Sequence, residues 1–181
     1  GAESAYRARH GRHRKIHLFD VNLPGRMTFK ESDTLTAGSS LTLFGYKSIS
    51  FGLMICYDIR FPELSRATVL EGAQVLVIPA AFNLTSGPAH WELLMRSRAV
   101  DNQVFVVAAS PARNTDASYQ AWGHSMIVDP WGNILAKADE REEIIMAKLD
   151  FASLKKVREE LPLLKQRRQD LYQLNYKNAN S

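Results

Sequence analysis

An α/β domain built around a sheet is the fold class that the sequence predicts, and three observations support it. The runs Val75 to Ile78 and Val104 to Ala108 are apolar throughout, as strands are when both faces of their sheet are covered. Segments with helical features precede both runs, Glu63 to Leu70 before the first and Ala89 to Val100 before the second. With 181 residues, 45% of them hydrophobic, the chain is long enough for one domain with a packed core. Helices that alternate with buried strands predict a layered α/β domain.

The domain is predicted to begin near Arg14 and to extend over residues 14–174. Residues 1–13 have no hydrophobic periodicity and are rich in Arg, His, Gly and Ala, which indicates an irregular basic lead-in. Residues 175–181 are predicted to form a short C-terminal tail.

A short strand and a β-hairpin are predicted in the first part of the domain. The strand covers Ile16 to Phe19 and is followed by a turn at Pro24-Gly25 and a polar connection through Gly38. The hairpin is expected because two apolar runs flank a Gly45-Tyr46 turn. Its predicted strands are Leu41 to Phe44 and Ser48 to Cys56.

Helices and strands alternate in the rest of the chain. Pro62 suits the first turn of the helix that is predicted over Glu63 to Leu70. The next predicted elements are the strand Gln74 to Pro79, the helix Ala89 to Val100, the strand Gln103 to Ser110, a hairpin of His124 to Asp129 with Ile134 to Ala138, and a strand over Glu143 to Leu149. Four apolar residues have helical spacing, namely Leu154, Val157, Leu161 and Leu164, and Pro162 is expected to break or kink this last helix.

The net charge of +4 comes from the two ends of the chain. Residues 1–15 and 155–181 each carry a net +4, whereas residues 16–154 carry −4. A basic stripe across the fold, which nucleic-acid binding requires, is therefore not predicted. No apolar stretch approaches the roughly 20 residues that cross a bilayer, so no membrane association is expected. One cysteine permits no internal disulfide, and a cytoplasmic location is expected, with mitochondria as the alternative.

Cys56 is the only cysteine and the strongest candidate for a nucleophile. It ends the apolar run that starts at Ser48, and a helix is predicted to begin a few residues later at Pro62 and Glu63. A strand-to-helix turn would present the sulfur near a helix N-terminus, whose partial positive charge favours the thiolate, the attacking form. The alternative for a lone cysteine is an inert, buried, small hydrophobic residue.

Long motifs in a fixed order carry a resemblance to a known family. They are Arg14 to Asp20, Phe29 to Gly38, Met54 to Glu63, Ala81 to Glu92, Arg96 to Gln103, Trp122 to Ser125 and Asp129 to Gly132. These motifs resemble those of the nitrilase (carbon-nitrogen hydrolase) superfamily, and most of all its omega-amidase branch. The resemblance runs from about Arg14 to Leu174. It implies a four-layer α-β-β-α sandwich, a thiol-dependent amidase without cofactor or metal, and a homodimer in which Leu161 to Tyr172 docks on the partner subunit.

The resemblance implies a catalytic set around Cys56. The thiolate of Cys56 would attack a terminal amide of a small dicarboxylic acid monoamide such as 2-oxoglutaramate or succinamate, form a thioester and release ammonia. Lys15 and the backbone N–H of Tyr57 would stabilise the oxyanion, and Glu31 would orient Lys15. The alternatives are an exposed cation for Lys15 and a loop carboxylate or helix-cap partner for Glu31.

Residues for substrate recognition are also implied. Arg60 would bind the substrate carboxylate through two parallel hydrogen bonds, and Phe82 and Ser86 would contact its carbon chain and donate a hydrogen bond. The alternatives are a surface salt bridge for Arg60 and core packing or turn chemistry for the other two. His90 and His124 are read as packed or hydrogen-bonded histidines, because no cysteine cluster or paired histidine spacing accompanies them.

One part of the family pattern has no counterpart in this sequence. The family's catalytic set begins with a glutamate general base in a segment well upstream of the lysine motif, and Glu3 is the sole acidic residue before Lys15. The sequence is therefore expected to lack the N-terminal third of the family domain and to be catalytically incomplete. The alternatives are a non-catalytic remnant or dimerisation module of the same fold, and an amidase that acts on deaminated glutathione.

Overall fold

The structure, a computed structural model, describes residues 12–24 and 27–176. Its strands and helices are β1 (Asp20–Leu23), β2 (Met27–Lys30), β3 (Thr42–Tyr46), β4 (Ile49–Leu53), α1 (Pro62–Leu70), β5 (Val75–Pro79), α2 (Gly87–Asn102), β6 (Phe105–Ala109), β7 (Met126–Val128), β8 (Ile134–Lys137) and α3 (Phe151–Glu160). Short 3₁₀ turns occur at Glu31–Asp33 and Cys56–Arg60. Residues 1–11 of the predicted lead-in, residues 177–181 of the predicted tail and Gly25 of the predicted turn lie outside the described residues.

Six strands form one mixed sheet in the order β3-β4-β5-β6-β7-β8. The central strands β4, β5 and β6 are parallel, and α1 and α2 make the connections between them. The outer pairs are antiparallel. Parallel strands connected by helices confirm the predicted α/β class. β1 and β2 form a separate two-stranded hairpin.

Both faces of the central strands are covered. On one face α1 and α2 pack over the sheet, where Trp91 and Met95 are 1% and 0% exposed. Gly52 of β4 permits this close approach, because a Cβ atom there would collide with the Thr68 side chain of α1. On the other face Phe105 packs against Leu154 of α3. No helix among the described residues has both the length and the apolar character that crossing a bilayer requires.

The ends of the helices agree with the signals in the sequence. Pro62 occupies the first turn of α1, where its missing N–H removes no hydrogen bond. The Asp150 side chain accepts a hydrogen bond from the backbone N–H of Ala152 and caps α3 at 3.0 Å. α3 ends at Glu160, before Pro162, as predicted.

The prediction of a strand over Ile16 to Phe19 was wrong. The backbone N–H groups of Ile16 and His17 donate to the carboxylate of Asp58, at 3.4 and 2.8 Å, and so are not available to a sheet. The strand of this region is β1, which starts at Asp20, directly after the predicted segment, and pairs with β2. β2 lies in the stretch that was predicted to be a polar connection.

The first predicted hairpin exists, but its turn is displaced by two residues. Tyr46 pairs with Ile49, so Lys47 and Ser48 form the turn between β3 and β4. Lys47 has a φ of 53°, as tight hairpin turns require. β4 ends at Leu53 and not at Cys56.

The predicted strand over Glu143 to Leu149 was also wrong. Among the described residues this segment pairs with no strand. Its two faces nevertheless differ, because Leu149 packs on the core beside Phe105 whereas Ile144 and Met146 are 89% and 85% exposed.

Candidate active site

A large cavity lies at the carboxyl ends of the parallel strands. It has a volume of about 1210 Å³, and its lining includes residues that follow β4, β5 and β6, namely Cys56, Ala80 to Asn83 and Ser110. Lys15 and Glu31 from the N-terminal segment line the same cavity. Loops at this edge of a parallel sheet are the usual position of ligand sites in α/β domains.

Cys56 has a strained backbone. It is the first residue of the 3₁₀ turn Cys56–Arg60, and its φ is 47°, in the left-handed region that residues with a side chain rarely adopt. Such a conformation persists only where the surrounding structure imposes it, and it occurs often at active sites. The thiol lies 3.8 Å from the carbonyl oxygen of Ala81.

The thiol is not activated in the way that the sequence suggested. Burial raises the pKa of Cys56, and the positive charges of Lys15 and Arg60 oppose this only in part. The α-helix begins only at Pro62, so Cys56 lies at the start of the short 3₁₀ turn and not at the N-terminus of α1. At neutral pH the group is therefore mainly the thiol, which needs a base to become a nucleophile.

Lys15 and Glu31 form an ion pair at the wall of the cavity. Lys15 Nζ lies 2.5 Å from Glu31 Oε2, and the side chains are 9% and 20% exposed. The same carboxylate oxygen accepts the backbone N–H of Phe19 at 2.8 Å. Lys15 Nζ also lies 5.9 Å from the ring centroid of Tyr57, the residue after the cysteine. The ammonium group is thus held beside the Cys56 turn, and Lys15 is not an exposed cation.

The backbone N–H of Tyr57 lies at the start of the 3₁₀ turn. The turn's first hydrogen bond runs from Asp58 N to Ile55 O at 3.0 Å, so Tyr57 N precedes it. An N–H at this position has no partner within the turn.

Arg60 projects over the cavity without a carboxylate partner among the described residues. Its Cζ lies 4.8 Å from the ring centroid of Phe82, and its Nη1 lies 3.2 Å from His90 Nδ1. Burial lowers the pKa of Arg60, although a guanidinium remains charged at neutral pH. The surface salt bridge considered for Arg60 is therefore not seen in the described part of the chain.

Phe82 and Ser86 both line the cavity and both have structural contacts. Phe82 is 4% exposed and makes an edge contact with Trp91, with ring centroids 5.3 Å apart. The Ser86 hydroxyl donates to Asn83 Oδ1 at 3.0 Å. Each residue thus combines the predicted position in the cavity with the packing or turn role that was its alternative.

The histidines of this region have hydrogen-bond partners. His90 contacts Arg60, and His124 Nδ1 lies 2.8 Å from the carbonyl oxygen of Trp122. Within residues 12–24 and 27–176 no group of three or more His, Cys, Asp or Glu side chains is arranged to hold a metal ion.

A family model decides what kind of protein this site belongs to. The model described as Carbon-nitrogen hydrolase matches residues 3–159. The chain belongs to the carbon-nitrogen hydrolase family. Omega-amidases from Bos taurus and Mus musculus are 54% and 55% identical to it over 168 and 166 residues, or 93% and 92% of this chain. The chain spans 61% and 60% of the length of these two relatives.

Solved structures confirm the nitrilase-like fold of this carbon-nitrogen hydrolase. Nit3 of Saccharomyces cerevisiae, a member of branch 10 of the nitrilase superfamily, is 51% identical with a TM-score of 0.77, over 86% of this chain and 54% of that one. The NitFhit protein of C. elegans is 41% identical with a TM-score of 0.87, over 93% of this chain and 41% of that one.

Two residues of the site were missed by the sequence analysis. The Tyr119 hydroxyl donates to the Ala81 carbonyl at 2.6 Å, the same oxygen that faces the Cys56 thiol. The Asp58 side chain is fully buried between the segments of Lys15 and Cys56. Asp58 left a signal in the sequence, since it is a lone acidic residue between the apolar neighbours Tyr57 and Ile59. Tyr119 lies in an irregular loop and left none.

Proposed function

We propose that this carbon-nitrogen hydrolase is a thiol-dependent amidase that acts on small dicarboxylic acid monoamides such as 2-oxoglutaramate and succinamate. The observation that carries the proposal is the single cavity that contains the Cys56 thiol, the Lys15–Glu31 ion pair and the Arg60 guanidinium. Identity of 54% to an omega-amidase supports the choice of reaction.

The proposed reaction has two stages. Sulfur of Cys56 attacks the amide carbon as the thiol proton leaves, and the carbonyl oxygen becomes an oxyanion beside Lys15 Nζ and the N–H of Tyr57. The C–N bond then breaks, the nitrogen takes up the proton, and ammonia departs from a thioester. Water adds to the thioester, its hydroxyl goes to the acid product, and its proton returns to the sulfur.

Arg60 supplies the selectivity for a substrate with a free carboxylate. Its guanidinium offers several N–H donors, has no acidic partner among the described residues, and is packed over Phe82 at the cavity wall. A carboxylate on the far end of a short amide substrate would meet this charge while the amide lies at Cys56.

The selectivity is tested by Arg60→Lys in a full-length form, in which the N-terminal third of the Mus musculus relative precedes this chain, assayed on succinamate and on propionamide, which has no carboxylate. One ammonium replaces a two-pronged contact, so kcat/KM for succinamate is expected to fall about tenfold more than for propionamide. Arg96→Lys is the matched control, because Arg96 lies on α2 and donates to Gly132 O, outside the cavity lining. Equal losses on both amides would assign Arg60 to structure.

We also propose that the 181-residue chain has little turnover by itself. A protonated thiol needs a base, and Glu31 is the only carboxylate among the described residues of the cavity lining. Its Oε2 already accepts from Lys15 and from Phe19 N. The family's upstream glutamate would supply the missing proton transfer, which is typically worth about 10²–10⁴-fold.

Ammonia release from succinamate tests this point. The chain alone is compared with the chain preceded by the N-terminal third of the Mus musculus relative, each with Cys56→Ser as control. The longer form is expected to turn over at least about 10²-fold faster, and its Cys56→Ser variant not at all. Equal turnover by the short chain would mean that Glu31 or another carboxylate acts as the base. Inactivity of both forms would favour the non-catalytic remnant.

A homodimer completes the proposal. Leu161, Leu171 and Tyr172 are 42%, 70% and 60% exposed, which supports docking of the segment Leu161 to Tyr172 on a second copy. Sedimentation velocity at micromolar concentration is expected to give a dimer, and Leu171→Asp is expected to dissociate it. A monomeric parent chain would remove the claim.

A further inference from the structure

Asp58 joins the two segments that carry Lys15 and Cys56. Its carboxylate accepts backbone N–H groups from Ile16 at 3.4 Å and His17 at 2.8 Å on one side, and from Ile55 at 3.0 Å on the other. Ile16 adjoins Lys15 and Ile55 adjoins Cys56, so a single side chain bridges segments about forty positions apart in the sequence.

Two imidazoles complete the surroundings of this carboxylate. His17 Nδ1 lies 3.0 Å from Asp58 Oδ1, and His13 Nε2 lies 3.6 Å from Oδ2. His17 stacks on Phe61 with ring centroids 3.6 Å apart, and His13 Nδ1 lies 3.0 Å from Thr42 Oγ1. Both rings are therefore fixed by further contacts and hold the carboxylate in place.

The chemistry of the network requires a carboxylate at this position. Ionised carboxylate oxygens only accept hydrogen bonds and together offer about four acceptor sites, which the three N–H groups and His17 Nδ1 fill. An amide would turn an N–H₂ group toward some of these donors. Burial tends to raise the pKa of Asp58, but the nearby His13 imidazole and the hydrogen bonds from Ile55 and His17 outweigh it, so the pKa lies below its usual value.

The other attachments of the Lys15 segment are of two kinds. Residues 16–19 belong to no strand, and backbone hydrogen bonds run from Gly38 N to Lys15 O at 2.8 Å and from Glu31 N to Phe19 O at 3.3 Å. Ring contacts of His17 with Phe61 and of Phe19 with Tyr57 reach the Cys56 turn, with centroids 3.6 and 4.9 Å apart. Glu31 orients the ammonium group itself but lies on the same N-terminal side of the molecule. Among the described residues, the hydrogen bonds that join the Lys15 segment directly to the Cys56 turn all go to the Asp58 carboxylate.

We propose that Asp58 is a positioning residue that holds Lys15 against the Cys56 turn, so that the ammonium acts on the thiol. The inference rests on the proposed roles of Lys15 and Cys56 in amide hydrolysis. It extends them to a residue that touches neither the substrate nor the reacting atoms.

The test measures the influence of Lys15 on the thiol, without any amide substrate. The rate of iodoacetamide alkylation of Cys56 is followed from pH 6 to 10 in the parent chain, Lys15→Met, Asp58→Asn and the double variant. In the parent background Lys15→Met is expected to slow alkylation at pH 8 by about threefold or more, because the thiolate loses a nearby positive charge. In the Asp58→Asn background Lys15→Met is expected to change the rate by less than about 1.5-fold.

A control separates positioning from loss of stability. Thr68→Val removes a buried hydrogen bond to Leu64 O within α1, away from the cavity, and is expected to keep the full effect of Lys15→Met. An undiminished effect of Lys15→Met in Asp58→Asn would overturn the proposal. So would an equal loss of the effect in Thr68→Val.

A second variant decides the matter if Asp58→Asn does not fold. His17→Phe keeps the stacking on Phe61 and removes only the ring contact to Asp58. It is expected to reduce, without abolishing, the effect of Lys15→Met on the alkylation rate of Cys56. An unchanged effect would overturn the proposal. Because alkylation requires no turnover, the chain can fail as an amidase while this coupling still holds.

Discussion

The two halves of the candidate site are held in place by different means. The Cys56 half follows β4 and lies over strands whose side chains are buried, with α1 and α2 packed against them. The Lys15 half belongs to no strand at that point; the carboxylate of Asp58 attaches its backbone to the Cys56 turn, and the carboxylate of Glu31 orients the Lys15 ammonium group. The nucleophile is thus fixed by apolar packing, whereas its cation is fixed by buried charge.

This difference predicts different responses to mutation and to pH. The stability that apolar packing supplies depends little on pH, but it falls sharply when a large core side chain is removed. Attachment by carboxylates depends on their ionisation and fails at low pH.

The largest expected loss of stability comes from a mutation in the packing around the Cys56 half. Trp91→Ala removes a 1% exposed side chain that contacts Phe82 and donates to His124 O at 2.6 Å. The free energy of unfolding is expected to fall by about 3–5 kcal/mol in urea titrations. Leu93→Ala is the matched control on the same helix, because Leu93 is 64% exposed and its loss is expected to matter little. A small effect of Trp91→Ala would mean that this packing does not hold the Cys56 half.

A smaller loss of stability is expected when acid acts on the Lys15 half. The pKa of Asp58 is lower in the folded state than in the unfolded state, so the ionised carboxylate stabilises the fold. This contribution is complete above the unfolded-state pKa of about 4. It is lost as the pH falls through the lower pKa of the folded state. Urea midpoints measured from pH 7 to pH 3 should decline less in Asp58→Asn than in the parent. Asp33→Asn, which changes an exposed aspartate of the same half, should follow the parent. Parallel declines in all three would contradict the role of Asp58.

The smallest effect is expected at the surface of the Lys15 half. Lys30 and Asp33 form an ion pair at 2.9 Å, and their side chains are 60% and 62% exposed. Lys30→Ala should change the free energy of unfolding by less than about 0.5 kcal/mol, because water screens such pairs. A larger loss in urea titrations would show that this half depends on more than the buried carboxylates.

The same comparison explains what the sequence could predict. The alternating helices and apolar strands of the Cys56 half were placed within a few residues, because periodicity and Pro62 report burial and helix starts directly. The Lys15 half was misread at Ile16 to Phe19, since an apolar run cannot reveal that its N–H groups bind a side chain about forty positions later. The segment Glu143 to Leu149 has the composition of a strand, but pairing needs a neighbour that the described residues do not provide.

The residues of the site could be predicted from the sequence, whereas the ionisation of the thiol could not. The family resemblance carried by the long motifs implied that Cys56, Lys15 and Glu31 act together, and the structure brings the three into one cavity. The state of the thiol was mispredicted, because a helix N-terminus can be inferred from sequence whereas the burial that raises the pKa of Cys56 depends on the tertiary structure.

The most direct measurement of the central claim, that Cys56 attacks the amide carbon, is the mass of the protein after rapid mixing with succinamate and acid quench. The form preceded by the relative's N-terminal third should gain the mass of one succinyl group on the peptide that contains Cys56, and hydroxylamine should remove it. Cys56→Ser should show neither this adduct nor ammonia release. Ammonia release by Cys56→Ser at the parent rate, or an adduct on another residue, would contradict the account.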